Sequence, residues 1–148
     1  VLHYRALRHG VQASRYWESG DSDRDFRWNN YLSRFHSRHT DLMDVIAGYQ
    51  PRASASLDQA AVLLGFPGKL GMSGDKVWDC WLDGGIDDIR NYCETDVLNT
   101  HLVYLRFQLM RGELDEKRLD REYELVRSTI EAMGESHLDE FLKAWQAG

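Results

Sequence analysis

Ile86-Asp87-Asp88-Ile89-Arg90-Asn91-Tyr92-Cys93-Glu94-Thr95-Asp96-Val97-Leu98-Asn99-Thr100, running on through His101-Leu102-Val103-Tyr104-Leu105-Arg106-Phe107, is the stretch on which the reading of this chain turns. Apolar residues at 86, 89, 93 and 97, then Tyr104 and Phe107, return at three- and four-residue steps, and Leu98, Leu102, Leu105 and Leu109 widen the stripe. The period predicts one long helix with that stripe turned inward. Gly84 and Gly85 with Asp83 and Asp87 suit its start, where acidic groups stabilise unpaired amides, and Gly112 suits its end. On this helix Tyr92 and Asp96 stand one turn apart, with about 6 Å of rise between them, so a phenol lies beside a carboxylate. A carboxylate on a rigid helix can hold a hard divalent cation, and a phenol one turn away can orient the water such an ion makes nucleophilic. The same spacing also falls by chance on many surface helices, so spacing alone does not decide.

The run Asn91 to Thr100, followed by Tyr104-Leu105-Arg106-Phe107, resembles the third exonuclease motif, Y-x-x-x-D. Its family is the predicted 3′-5′ exonucleases similar to the proofreading domain of B-type DNA polymerases, in the DEDDy branch of the ribonuclease H-like superfamily. His39-Thr40-Asp41-Leu42-Met43-Asp44-Val45 is similar to the same family. So are Leu57-Asp58 with Leu63-Leu64-Gly65-Phe66-Pro67-Gly68-Lys69, and Tyr31 with Arg34. The resemblance holds the family's order from about residue 1 to residue 112.

The family's other three metal carboxylates lie in a D-x-E motif and in an N-x-x-x-F-D-like motif, and neither is present. The chain opens at Val1-Leu2-His3-Tyr4-Arg5-Ala6-Leu7, similar to the helix that follows the second motif, so it resembles the C-terminal portion of such an enzyme. The resemblance implies an α/β ribonuclease H-like 3′-5′ exonuclease domain, here a helix-rich C-terminal portion lacking the first strands, with one short strand near residues 39–45. Residues 1–112 would be exonuclease domain and 113–148 a helical tail. The implied activity is hydrolysis of nucleotides from a nucleic-acid 3′ end, a single-stranded one, with two Mg²⁺ or Mn²⁺ ions. Asp96 would be the last metal carboxylate and Tyr92 the residue that positions the attacking water. Lys69, Arg34, Arg38 and Asp41 are candidate substrate contacts. The chain alone is expected to be inactive and to expose apolar helix faces, so a longer polypeptide or pairing between chains is expected. The alternative is a non-catalytic module that binds nucleic acid or another protein.

Composition narrows these readings. The 148 residues are 43% hydrophobic, enough for one domain with a core. The net charge of −6 argues against a general polyanion binder. Its distribution is uneven: residues 1–40 hold seven Arg against four acids, a net +3, whereas residues 112–148 hold ten acids against five Lys or Arg, a net −5. The basic end can face phosphates or simply be solvated. Cys80 and Cys93 are too few for a disulfide framework and are expected as buried thiols. No stretch approaches the roughly 20 apolar residues of a membrane span, and no signal-peptide pattern opens the chain, so a cytoplasmic protein is expected.

Read in order, Val1 to His9 predicts a short amphipathic helix with Leu2, Ala6 and His9 inward, stopped at Gly10. Asp21, Asp23 and Asp25 mimic the first ligands of an EF-hand, but the sixth position is not Gly and the twelfth is Leu32. Phe26, Trp28 and Tyr31 with Arg27, Arg34 and Arg38 can stack bases and grip phosphates, or can be core aromatics among solvated arginines. His36 and His39 lack the second ligand pair a zinc site needs. Asp41 can line a cleft at a strand end or cap the next turn. Ser56 and Gln59 form a capping box for a helix ending at Gly65. The glycine-rich link through Gly74 lacks the phosphate-binding P-loop frame. Val77 to Leu82 predicts a helix whose Trp78 and Trp81 anchor the long one. Leu114, Leu119, Tyr123, Val126 and Ile130 predict another, stopped near Gly134. Ser136 with Asp139 predicts the cap of a last helix bearing Leu138, Phe141, Leu142 and Trp145.

Overall fold

The computed structural model describes residues 2–147 and divides the chain into two compact units, one ending at Asp41 and one beginning at Leu42.

The first unit opens with α1 (Leu2–His9), closed by Gly10 at φ 62°, a left-handed conformation that glycine adopts without penalty. The rest is turns around one side chain, Phe26, which is 1% exposed. The guanidinium groups of Arg15 and Arg38 lie 4.1 and 3.6 Å from the centre of its ring. Asp23 caps the short turn Arg24–Phe26 by accepting from the Asp25 amide at 3.0 Å, and its other oxygen pairs with Arg15 at 2.8 Å. The Asp-rich loop is thus used for turn hydrogen bonds.

The second unit holds α2 (Leu42–Ile46), α3 (Leu57–Leu63), α4 (Val77–Leu82), α5 (Ile86–Met110), α6 (Glu116–Met133) and α7 (Ser136–Ala147). Helix α5 is 25 residues long, and α3, α4, α6 and α7 all pack on it. The predicted capping box is present: Ser56 Oγ accepts from the Gln59 amide at 3.2 Å, and Gln59 Oε1 accepts from the Ser56 amide at 2.9 Å. Asp115 starts α6 by accepting from the Arg118 amide at 2.8 Å, and Gly134, at φ 66°, ends it. The short link then brings α7 back onto α5. Between these helices Leu102, Val103, Ile130, Leu138, Phe141 and Leu142 form the core, with Trp145 set edge-on to Tyr123 at 5.6 Å and to Phe66 at 6.1 Å. Each such burial contributes about 1.5–3 kcal/mol, which makes this cluster the main source of cohesion.

Several expectations are corrected. No strand occurs among the described residues, so the α/β ribonuclease H-like architecture is not seen. The stretch near 39–45 instead enters α2, whose end satisfies itself locally: the Ala47 amide donates to Met43 at 3.1 Å and the Tyr49 amide to Asp44 at 2.7 Å. A lone strand would leave its backbone groups unpaired, and the described residues provide no second strand to bond it. The inward face of α5 is also different. Thr95, Asn99, Leu102, Val103, Leu105 and Phe107 are buried, while Ile86, Cys93 and Val97 are exposed. Trp78 and Trp81 are exposed, so α4 meets α5 without its indoles as anchors. Leu2 and His9 on α1 are exposed. Cys80 is only half-buried. Helix α7 begins at Ser136 itself, with Glu135 accepting from the Asp139 amide at 3.0 Å. Val1 lies outside the described residues.

Candidate active site

Tyr92 and Asp96 sit half-buried near the middle of α5. A hydrogen bond to the Asp96 carboxylate, then partial burial and the Asp96 charge, push the Tyr92 phenol above its usual value. The phenol therefore stays protonated at neutral pH and acts as a donor. The turn Gly74–Lys76 closes over it: a Cβ added to Gly74 would stand 3.7 Å from the Tyr92 hydroxyl. The Asp75 charge also reaches Tyr92. Asp75 accepts from Ser73 Oγ at 2.5 Å, and that bond holds its carboxyl below the usual range, with lesser help from Lys76 and Lys69. Lys69 is exposed, and its amide donates to Asp58 Oδ1 at 2.8 Å. A protonated phenol, two carboxylates and two ammonium groups thus act on one another around a single turn.

Beside Tyr92 is a cavity of about 250 Å³, lined by Leu70 and Met72, by Asn91 and Thr95 of α5, and by His137 and Glu140 of α7. His137 Nε2 meets Glu94 Oε2 at 2.6 Å, and Arg90 Nε donates to the other oxygen of Glu94 at 3.0 Å. The His137 bond is the main reason the Glu94 carboxyl lies below its usual value. This contact ties α7 to α5 at the edge of the cavity.

Of the sequence-predicted residues, Tyr92, Asp96 and Lys69 belong to the second unit, and Arg34, Arg38 and Asp41 to the first. Arg38 lies against Phe26, and its Nε donates to the Asn29 carbonyl. Arg34 and Asp41 are exposed. Sequence reasoning missed Asp75, Glu94 with His137, and the buried Asn99. For Asp75 the signal was present, since a Ser-x-Asp turn follows Lys69; for the other three it lay only in contacts distant along the chain.

Among the described residues no group of three or more His, Cys, Asp or Glu side chains is placed to hold a metal ion. Asp96 contributes one carboxylate, one helical turn from Tyr92. Mg²⁺ surrenders its waters reluctantly, so one carboxylate does not make the expected two-ion site. Nor is any helix of the described residues long and apolar enough to cross a membrane.

A tyrosine–aspartate pair one turn apart on the central helix, under a lysine-flanked turn, puts the chain in the class of domains that display a Y-x-x-x-D helix. Residues 1–145 match the family model of predicted 3′-5′ exonucleases related to the exonuclease domain of PolB, and the chain belongs to that family. The match runs past residue 112, where the resemblance by motif faded, and takes in α6 and most of α7. No curated protein and no solved structure matches the chain.

Proposed function

We propose that this chain carries the Y-x-x-x-D part of a 3′-5′ exonuclease site acting on single-stranded nucleic-acid ends. The observation that carries this reading is the placing of Tyr92 and Asp96 one turn apart on α5 beneath the Gly74 turn, in a chain matched to the exonuclease family over nearly its whole length. In it Tyr92 is the protonated donor that orients the attacking water, and Asp96 holds the phenol in place and is one carboxylate of a Mg²⁺ or Mn²⁺ site. Such ions stabilise the attacking and leaving oxygens, and the remaining carboxylates would come from outside the described residues. Lys69 offers a positive charge to the departing phosphate. Two free cysteines suit a reducing compartment, and the reading places the protein in the cytoplasm.

The test is trimming of a 3′-labelled oligonucleotide, with Mn²⁺ supplied, by the polypeptide of the full reading frame. Tyr92→Phe and Asp96→Ala should each lower the rate by about 10²–10⁴-fold, the usual worth of a positioned proton-transfer group. Unchanged rates in both would remove these assignments. A second reading, a non-catalytic nucleic-acid-binding or interaction module, is favoured by the absence of a three-ligand cluster among the described residues. Binding without any trimming would decide for it.

A further inference from the structure

In the first unit Glu18, Asp21 and Asp23 bond within its own turns, with Asp21 and Asp25 exposed, and several arginines stand in water. Glu18 Oε1 accepts from the Gly20 amide at 2.7 Å and the Ser22 amide at 3.1 Å. Asp23 is paired with Arg15, and Asp21 accepts from Ser19 Oγ at 3.3 Å. Arg5 and Arg8 on α1, with Arg24 and Arg27, are exposed.

In the same unit stands Trp28, 86% exposed, with the Arg27 guanidinium 5.6 Å from its ring centre. The indole's backbone is nevertheless held. The Asn29 side chain accepts from the Ser37 amide at 2.8 Å and donates to Ser37 Oγ at 3.0 Å. The Asn30 side chain donates to the Phe26 carbonyl at 3.0 Å and accepts from the Leu32 amide at 3.0 Å. On the other side the loop closes on Arg27, where a Cβ on Gly20 would stand 2.9 Å from Arg27 Cα. A large aromatic in water on an ordered backbone, backed by a guanidinium in a unit that also exposes Arg5, Arg8 and Arg24, is an anchor awaiting a flat, anionic partner.

We propose that Trp28 and Arg27 form a stacking platform for an unpaired base of a single-stranded nucleic acid, with Arg5, Arg8 and Arg24 meeting the strand's phosphates. A duplex hides its base faces within its own stack, so the partner is a single strand. The proposal rests on the exonuclease reading for its substrate but assigns the holding role to residues other than Tyr92 and Asp96. It is tested with the chain and a fluorescent oligo(dT) of about twelve nucleotides, within the usual range of single-strand site sizes, by anisotropy in EDTA so that no cleavage intervenes.

Trp28→Ala should weaken binding by about 5- to 150-fold, the range for loss of one stacked base, while Trp28→Tyr restores most of it. Arg27→Ala should weaken binding and lower the salt slope by about one. Wild-type affinity in Trp28→Ala, no binding by the wild type, or equal affinity for duplex would each overturn the platform. Trimming by the polypeptide of the full reading frame that persists through any of those results leaves the exonuclease reading standing, whereas binding lost in Trp28→Ala, with no trimming by that polypeptide, removes that reading and keeps the platform.

Discussion

At the scale of single residues, Glu94 shows how one carboxylate joins elements that the sequence separates. It accepts from Arg90 one turn earlier and meets His137 43 residues later. The arginine supplies a positive partner at every ordinary pH, so Glu94 remains an acceptor whether or not the imidazole is charged. Its carboxyl lies below the usual glutamate range, chiefly through the His137 bond. A depressed folded-state value means the stabilisation is fully present above the unfolded value and is lost as pH falls through the folded one. Melting temperature followed against pH should therefore separate wild type from Glu94→Gln above about pH 4.5, and the two curves should converge in more acid solution. Curves that stay parallel down to about pH 2 would show that the pair contributes nothing specific.

Helix α5 organises its neighbours through a polar contact as well as an apolar one. Asn99, 1% exposed, accepts from the Gly68 amide at 3.2 Å and donates to the Gly68 carbonyl at 2.7 Å. One side chain thus stands in for a strand partner and pins the link after α3 to the central helix. Gly68 fits there because its φ is +67° and because a Cβ would come within 2.6 Å of Asp58 Oδ1 and 2.8 Å of Val62 Cγ2. Asn99→Ala leaves two buried backbone groups unpaired and should cost about 2–4 kcal/mol in urea denaturation. Gly68→Ala should cost a comparable amount through strain, and the double variant less than the sum, since both break one contact. Losses below about 0.5 kcal/mol for both singles would show that the link is held elsewhere.

The two units differ in how they are held together. The second has a core of nine buried residues in one cluster, whereas the first has Phe26 as its only buried apolar side chain among the described residues. Local stability follows buried contacts, so the first unit should open more readily. Brief trypsin digestion should cut at the exposed Arg24, Arg27 or Arg34 before any site in α5, leaving a core that begins near Leu42. Initial cleavage within α5 or α6 would contradict that order. The second unit also leaves an apolar groove of about 560 Å³ between α5 and α6, where Val97, Leu125 and Met133 are exposed.

The sequence by itself determined the helices of the second unit after α2 and their stops. Three- and four-residue periodicity, the Ser56–Gln59 box and glycines at 112 and 134 are local signals, and a helix closes its hydrogen bonds locally. It also determined the Tyr92–Asp96 neighbourhood, because one helical turn places those groups whatever packs around them. Only the tertiary structure decided which face of α5 is buried. Ile86, Cys93 and Val97 continue an apolar stripe, but α3 and α7 arrive on the side of Thr95, Asn99 and Val103. The same holds for residues 39–45: a strand exists only with a partner to bond it, and among the described residues the chain turns there into α2. Trp28 and Phe26 stand two residues apart in one aromatic run. Their opposite fates, one in water and one between two arginines, were set by the chain folding back from Arg15 and Arg38. Periodicity cannot report such contacts, because they join residues whose separation along the chain follows no repeat.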